Sequence, residues 1–103
     1  MSLGKRQLFI YWRLPTSGLA DAVVSMRQTQ RNLESSHKGL VSSLFVRSDS
    51  ADATLMESYA IKSAISPSGV DVQLQREITD LGDDQSSAWR MGLRHVEVFD
   101  EVN

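Results

Sequence analysis

The chain contains no cysteine, which excludes disulfide staples and thiolate metal sites and fits a reducing compartment. It has no apolar run near the ~20 residues a helix needs to cross a bilayer. Lys5 and Arg6 near the N-terminus precede only a short apolar stretch, interrupted by Arg13, so there is no secretory signal. The chain also lacks an excess of positive charge. Its net charge is −2 with both histidines neutral, which removes the electrostatic case for binding nucleic acid or an anionic membrane. Internal repeats, low-complexity segments, a Walker loop, a dinucleotide glycine pattern and Ser-His-Asp spacing are all absent. The expectation is a cytoplasmic protein with no cofactor, no metal, no nucleic-acid partner and no membrane partner.

What is present suffices for one domain. A chain of 103 residues buries roughly 60–70% of its unfolded surface and needs no staples. The domain is expected over residues 5–103, with 1–4 a disordered leader or expression scar. Gln7–Leu14, QLFIYWRL, is the densest run of branched and aromatic residues. It reads as a central strand, with Leu8, Ile10, Trp12 and Leu14 on one side and Phe9, Tyr11 and Arg13 on the other.

Pro15 ends that strand, and Thr16 or Ser17 is placed to cap a helix. Leu19, Val23, Met26, Gln30 and Leu33 then recur at helical spacing, broken only by Gln30. His37 and Lys38 suit the negative end of the helix dipole, and Gly39 suits a left-handed cap. Leu40–Arg47 reads as a second strand. Ser48–Thr54 is a loose turn, and Leu55–Ile61 is a third strand. Ser66-Pro67-Ser68 supplies a turn and a capping serine. Val70, Leu74, Ile78 and Leu81 mark a second helix, expected to end at Gly82. Trp89 plugs an edge of the core, and His95–Phe99 is a clean final strand.

Strand-helix-strand-strand-helix-strand is the order of the ferredoxin-like α+β split unit. Right-handed crossovers put both helices on one face of a four-stranded antiparallel sheet of order 4-1-3-2. Period-two alternation then sorts the strand residues. Leu8, Ile10, Trp12, Leu44, Val46, Met56, Ser58, Ala60, Val96 and Val98 suit the helix-covered face. The other set joins Phe9, Tyr11, Arg13, Ser43, Phe45, Arg47, Leu55, Glu57, Tyr59, His95, Glu97 and Phe99. A solvated sheet face would not carry so many aromatics, and a simple core would not carry the charges. The mixture suits an interface or a ligand cleft.

Tyr11-Trp12-Arg13, Met56-Glu57-Ser58-Tyr59 and Arg94-His95-Val96-Glu97-Val98-Phe99 occur in an order that resembles an uncharacterised bacterial domain family of unknown function. That family lies within the dimeric α+β barrel superfamily. Asp83–Trp89 is more polar than the family pattern. The resemblance implies a homodimer packed sheet against sheet, and no catalytic residue is carried over because the family has no assigned activity. Superfamily relatives include cofactor-free monooxygenases, haem-degrading enzymes, lyases and proteins that only dimerise or bind.

On this reading the dimer interface holds Phe9, Tyr11, Phe45, Arg47, Tyr59 and Phe99. A small molecule would meet Tyr11, Arg13, Glu57, Tyr59, His95 and Glu97. His95 and Glu97 share a face about 6–7 Å apart, and with Glu57 they form a cluster suited to hold a metal or to act as acid and base. The plainer reading is a histidine hydrogen-bonded at an interface. Glu57 and Glu97 form a candidate carboxylate pair flanking Tyr11; the plainer reading pairs each with Arg13 or Arg47. Two functions follow: a structural or small-molecule-binding dimer, or a small cofactor-independent enzyme of monooxygenase or lyase type using Glu57, Glu97, Tyr11, Tyr59 and His95. A third, RNA binding on the sheet, is opposed by the acidic balance and the missing aromatic RNP pattern.

Overall fold

A computed structural model describes residues 2–102; Met1 and Asn103 lie outside the described residues. Four ten-residue strands form one sheet: β1 (Arg6–Pro15), β2 (Leu40–Asp49), β3 (Asp52–Ile61) and β4 (Met91–Asp100). Helix α1 (Leu19–Ser36) joins β1 to β2, and α2 (Val72–Ser86) joins β3 to β4. The spatial order is β2-β3-β1-β4 and every neighbouring pair is antiparallel. This is the expected topology, with the opening strand internal.

Both helices cover the same sheet face. The alternation of β1 drives this, because Leu8, Ile10, Trp12 and Leu14 are all fully buried. Leu33 of α1 joins Leu74 and Ile78 of α2 over Leu8 and Ile10. Ala22 and Met26 of α1 pack over Trp12 and Leu14, with the half-buried Trp89 closing that end. Gln30 breaks the stripe of α1 without cost, since its buried amide donates to the Ser43 carbonyl at 2.8 Å.

Several local expectations change. Residues 2–4 make backbone contacts with the end of β3 and the turn after it. Gly4 N–H donates to the Ile61 carbonyl, and Ser63 N–H donates to the Ser2 carbonyl. The α1 cap is Gly18, after a 3-10 turn (Thr16–Gly18), and no side chain caps it. The Thr16 hydroxyl instead donates to the Ser50 carbonyl at 3.2 Å, tying this corner to the β2–β3 hairpin. That hairpin is tight, not loose. Asp49 pairs with Asp52 across Ser50 and Ala51, and Ser50 takes φ 33° to make the turn. The α2 cap is Asp71, whose carboxylate accepts from Leu74 N–H at 2.8 Å; Ser68 does not cap it.

Helix α2 also continues past Gly82 to Ser86. Glycine is needed there for space, not for termination. A Cβ on Gly82 would lie 2.3–2.6 Å from the Arg94 guanidinium. β4 begins earlier than expected and carries an irregularity. Tyr11 pairs with His95, but Arg13 pairs with Met91. Four residue steps on β4 (91 to 95) therefore answer two on β1 (11 to 13). Gly92 at φ 81° makes the excursion.

The largest correction concerns β3. Directly opposed antiparallel residues share a face, and Glu57 is opposed to Ile10 and to Leu44. Ala53, Leu55, Glu57, Tyr59 and Ile61 are all buried beneath the helices. Met56 instead faces the open side, opposed to Tyr11 and Phe45. Placing Glu57, Tyr59 and Leu55 on the open face, and Met56 and Ser58 in the core, is thus inverted. Alternation states which residues share a side of one strand and leaves the choice of side to its neighbours.

Candidate functional site

The open face is built by cross-strand rows. Phe45, Met56, Tyr11 and His95 form one row across all four strands, and Ser43, Ser58, Phe9 and Glu97 form the next. Tyr11 stacks on His95, with centroids 5.1 Å apart and planes 23° apart. Phe9 meets Phe99 edge to face at 5.7 Å and 70°. The Tyr11 hydroxyl donates to Glu97 Oε1 at 3.2 Å. That hydrogen bond, then the Glu97 charge, then partial desolvation raise the Tyr11 pKa above the ordinary tyrosine value.

Among the described residues no element covers this face. Phe45 and Phe99 remain 53% and 55% exposed, too much apolar area for an ordinary solvated sheet. A groove of about 540 Å³ runs between Phe9, Tyr11, Met56 and Phe99, with Gln7, Glu97, Asp100 and Glu101 along it. A second groove of about 370 Å³ lies across Tyr11 and Met56, beside Phe45, Arg47 and Thr54. Tyr11 and Met56 thus form the ridge between the two.

The expected carboxylate–arginine pairs do not form. Arg13 pairs with Asp52 at 2.9 Å, and Arg47 lies 3.8 Å from Asp49. Glu57 and Glu97 do not form a pair around Tyr11 either, because they lie on opposite faces of the sheet. His37 sits at the end of α1 as expected, and its Nε2 meets Glu77 of α2 at 2.7 Å. Among the described residues no three His, Asp or Glu side chains converge on a metal-sized site.

Beneath the sheet is a second polar group, closed to solvent. Glu57 accepts four hydrogen bonds. Oε1 takes the Tyr59 hydroxyl at 2.6 Å and Arg94 Nη2 at 2.7 Å. Oε2 takes Trp12 Nε1 at 2.8 Å and Arg94 Nε at 3.1 Å. The remaining Arg94 nitrogen, Nη1, donates to the Thr79 carbonyl and to Asp83 Oδ1, both at 2.9 Å. Both charged side chains are fully buried. Burial opposes the Arg94 charge, but the hydrogen bonds and charge of Glu57, helped by Asp83, outweigh it and raise its pKa. Burial, then the Glu57 charge and hydrogen bond, push the Tyr59 pKa far up. Every lone pair of Glu57 is occupied, so the cluster offers no vacant acceptor. It is a clasp joining β1, β3, β4 and α2.

Of the six residues expected to meet a ligand, the structure brings Tyr11, His95 and Glu97 together. Arg13 shares their face at the far end of β1, while Glu57 and Tyr59 belong to the clasp. An enzymatic site built on all five of Glu57, Glu97, Tyr11, Tyr59 and His95 is therefore split by the sheet. Arg94 was missed. Its parity was legible, since it alternates with Val96 and Val98, which were assigned to the helix side.

No family model matches the chain, and no curated protein matches it. Solved structures do. A de novo designed protein, Ferredog-Diesel, superposes with TM-score 0.62 at 8% identity, covering 95% of this chain and 88% of its own. A Caulobacter crescentus protein provisionally named an antibiotic biosynthesis monooxygenase gives TM-score 0.59 at 15% identity, covering 98% of this chain and 92% of that one. The C-terminal domain of MgtC from Mycobacterium tuberculosis gives 0.57 at 8% identity, covering 98% and 93%. The fold is ferredoxin-like. At these identities the likeness extends to the fold alone. No helix of the described chain is long and apolar enough to cross a membrane.

Proposed function

We propose that this protein is a small-molecule-binding homodimer of the dimeric α+β barrel kind, in which a second copy covers the open sheet face. The observation that carries the reading is the uncovered aromatic face, with Phe9, Tyr11, Phe45, Met56 and Phe99 on one surface. Four strands of ten residues present a rectangle of about 600 Å² at ~4.8 Å spacing and ~3.3 Å per residue. That is comparable with the roughly 800 Å² each partner buries in a stable interface. A copy of the same face answers it with the same aromatic residues in an isologous contact. The two grooves beside Tyr11 and Met56 would survive as pockets between the sheets, and the ligand would sit against Tyr11, His95 and Glu97.

The three short motifs that resemble an uncharacterised bacterial family of the same superfamily support this arrangement. So does a solved ferredoxin-like neighbour named as a monooxygenase, at the level of the fold. Light scattering and sedimentation at micromolar concentration test it. The expected result is a dimer that the double substitution Phe45→Lys, Phe99→Lys converts to a folded monomer. A wild-type monomer whose open-face amides exchange freely would overturn the reading.

A further inference from the structure

The groove beside Tyr11 has a chemical bias that the rest of the open face lacks. Its walls are aromatic. Phe9 and Phe99 meet at 70°, and the Tyr11–Met56 ridge forms a third wall, to which Met56 adds a soft, polarizable thioether. Its polar groups are acidic or neutral: Glu97, Asp100, Glu101 and Gln7, with no lysine or arginine among the lining residues. Several carboxylates elsewhere are matched: Asp52, Asp49, Glu57, Asp83 and Glu77 each face an arginine or a histidine. Glu97, Asp100 and Glu101 enter no ion pair among the described residues.

Glu97 is also held in place. Its Oε1 accepts from the Tyr11 hydroxyl, and among the described residues Oε2 has no hydrogen-bond partner. The tyrosine in turn is stacked on His95, so the carboxylate is fixed at the groove wall. Aromatic faces carry a negative quadrupole and attract a cation set over them within about 6 Å, more strongly when water is displaced. Nearby carboxylates add the matching charge. An anion would meet carboxylates and ring faces of its own sign. A neutral apolar ligand would use the walls and leave Glu97 desolvated without a partner, which costs free energy.

We infer that the Phe9–Tyr11–Phe99 groove, with Glu97 on its wall, binds an organic ammonium ion carrying an apolar body. The cavity of about 540 Å³ falls within the ~300–1,000 Å³ range of sites for ligands of such size. The inference rests on the ligand-binding part of the proposed function and does not need the dimer. Where a second copy covers the face, the cation would also offset the repulsion of carboxylates brought together between two sheets.

The test uses the full chain and three probes of like shape: 3-phenylpropylammonium, 3-phenylpropanol and 3-phenylpropionate. Binding is followed by calorimetry and by NMR shifts of the Phe9, Tyr11 and Phe99 rings. The ammonium is expected to bind about tenfold more tightly than the alcohol, and the carboxylate is expected to bind not at all. Added salt should weaken the ammonium complex. Glu97→Gln should erase the preference for ammonium over alcohol while circular dichroism stays unchanged. If that variant fails to fold, the paired substitutions Asp100→Asn and Glu101→Gln should lower the preference in their place. Equal or tighter binding of the alcohol overturns the inference, and so does failure of the ammonium to bind at millimolar concentration. Sedimentation of the same samples separates the two readings. A monomer that prefers the ammonium refutes the dimer and keeps the cation site; a dimer that prefers the alcohol does the reverse.

Discussion

Glu57 and Glu97 are two glutamates on adjacent levels of one sheet, and they lead opposite lives. Glu57 is opposed to Ile10 on β1, and Glu97 to Phe9, the next residue along. One residue of phase puts them on different faces. Glu57 is fully buried and accepts from Tyr59, Trp12 and both arms of the Arg94 fork. Glu97 is exposed and, among the described residues, accepts from Tyr11 alone. A carboxylate taken out of water needs every acceptor filled and a cation in register. A carboxylate left on the surface can keep a free oxygen, and only such a group is available to a ligand. Under the helices the Glu57 clasp satisfies its own carboxylate, whereas Glu97 on the open face keeps an oxygen for solvent or a ligand.

The removal of Arg94 should separate the two faces most sharply. Arg94→Ala strands a buried carboxylate and is expected to cost about 3–5 kcal/mol, a large share of the ~5–15 kcal/mol that holds a domain together. Urea unfolding measures it. The double substitution Glu57→Met, Arg94→Met should recover only part of that loss, because it removes the stranded charge but leaves Trp12 Nε1 and the Tyr59 hydroxyl without their acceptor. A cost for Arg94→Ala below about 1 kcal/mol, the ordinary range for surface pairs, would mean that the clasp is solvated after all.

Alkaline pH gives the next effect. Tyr59 is held protonated in the fold, with its pKa raised by burial and by Glu57. The stability this contributes is fully present below the unfolded tyrosine value of about 10 and is lost as pH rises toward the folded value. Thermal unfolding should therefore fall steeply above pH 10, and Tyr59→Phe should flatten that fall while lowering stability at neutral pH. A flat profile in the wild type would place Tyr59 in contact with water.

The smallest effect belongs to Glu97. Glu97→Gln is expected to change stability by no more than about 0.5 kcal/mol, as for surface positions generally. The same substitution should bring the Tyr11 titration, read by ultraviolet absorbance, back toward the ordinary value, since Glu97 is the main cause of its rise. A large stability loss would make Glu97 a second clasp and erase the contrast with Glu57.

Much of this arrangement is legible in the amino-acid sequence. The four-strand, two-helix order and the sheet order follow from the hydrophobic periods and the crossover rule. Strong alternation in Leu8–Leu14 places Trp12 in the core and Tyr11 outside it; in β4 it gives Val96 and Val98 the helix side, but at the sheet edge both stay 38% exposed and outside the expected core. Leu55–Ile61 was harder, because each of its two phases mixes apolar and polar residues. A lone glutamate argues for the solvent side, and its partner stands 37 residues later at Arg94. Gly82 was likewise legible as a break in a helix but not as the seat of a guanidinium.

The sequence by itself determined the periods, the order of the elements and the pairs of residues that share a side within each strand. These are local properties, set by backbone geometry over a few residues. Only the tertiary structure decided which side of β3 meets the helices, because that depends on the register against β1 and β2 and on whether a distant arginine can neutralise Glu57. Once Arg94 does so, burying Glu57 ceases to be prohibitive, Met56 turns outward beside Tyr11, and the open face acquires the aromatic groove with Glu97 at its edge.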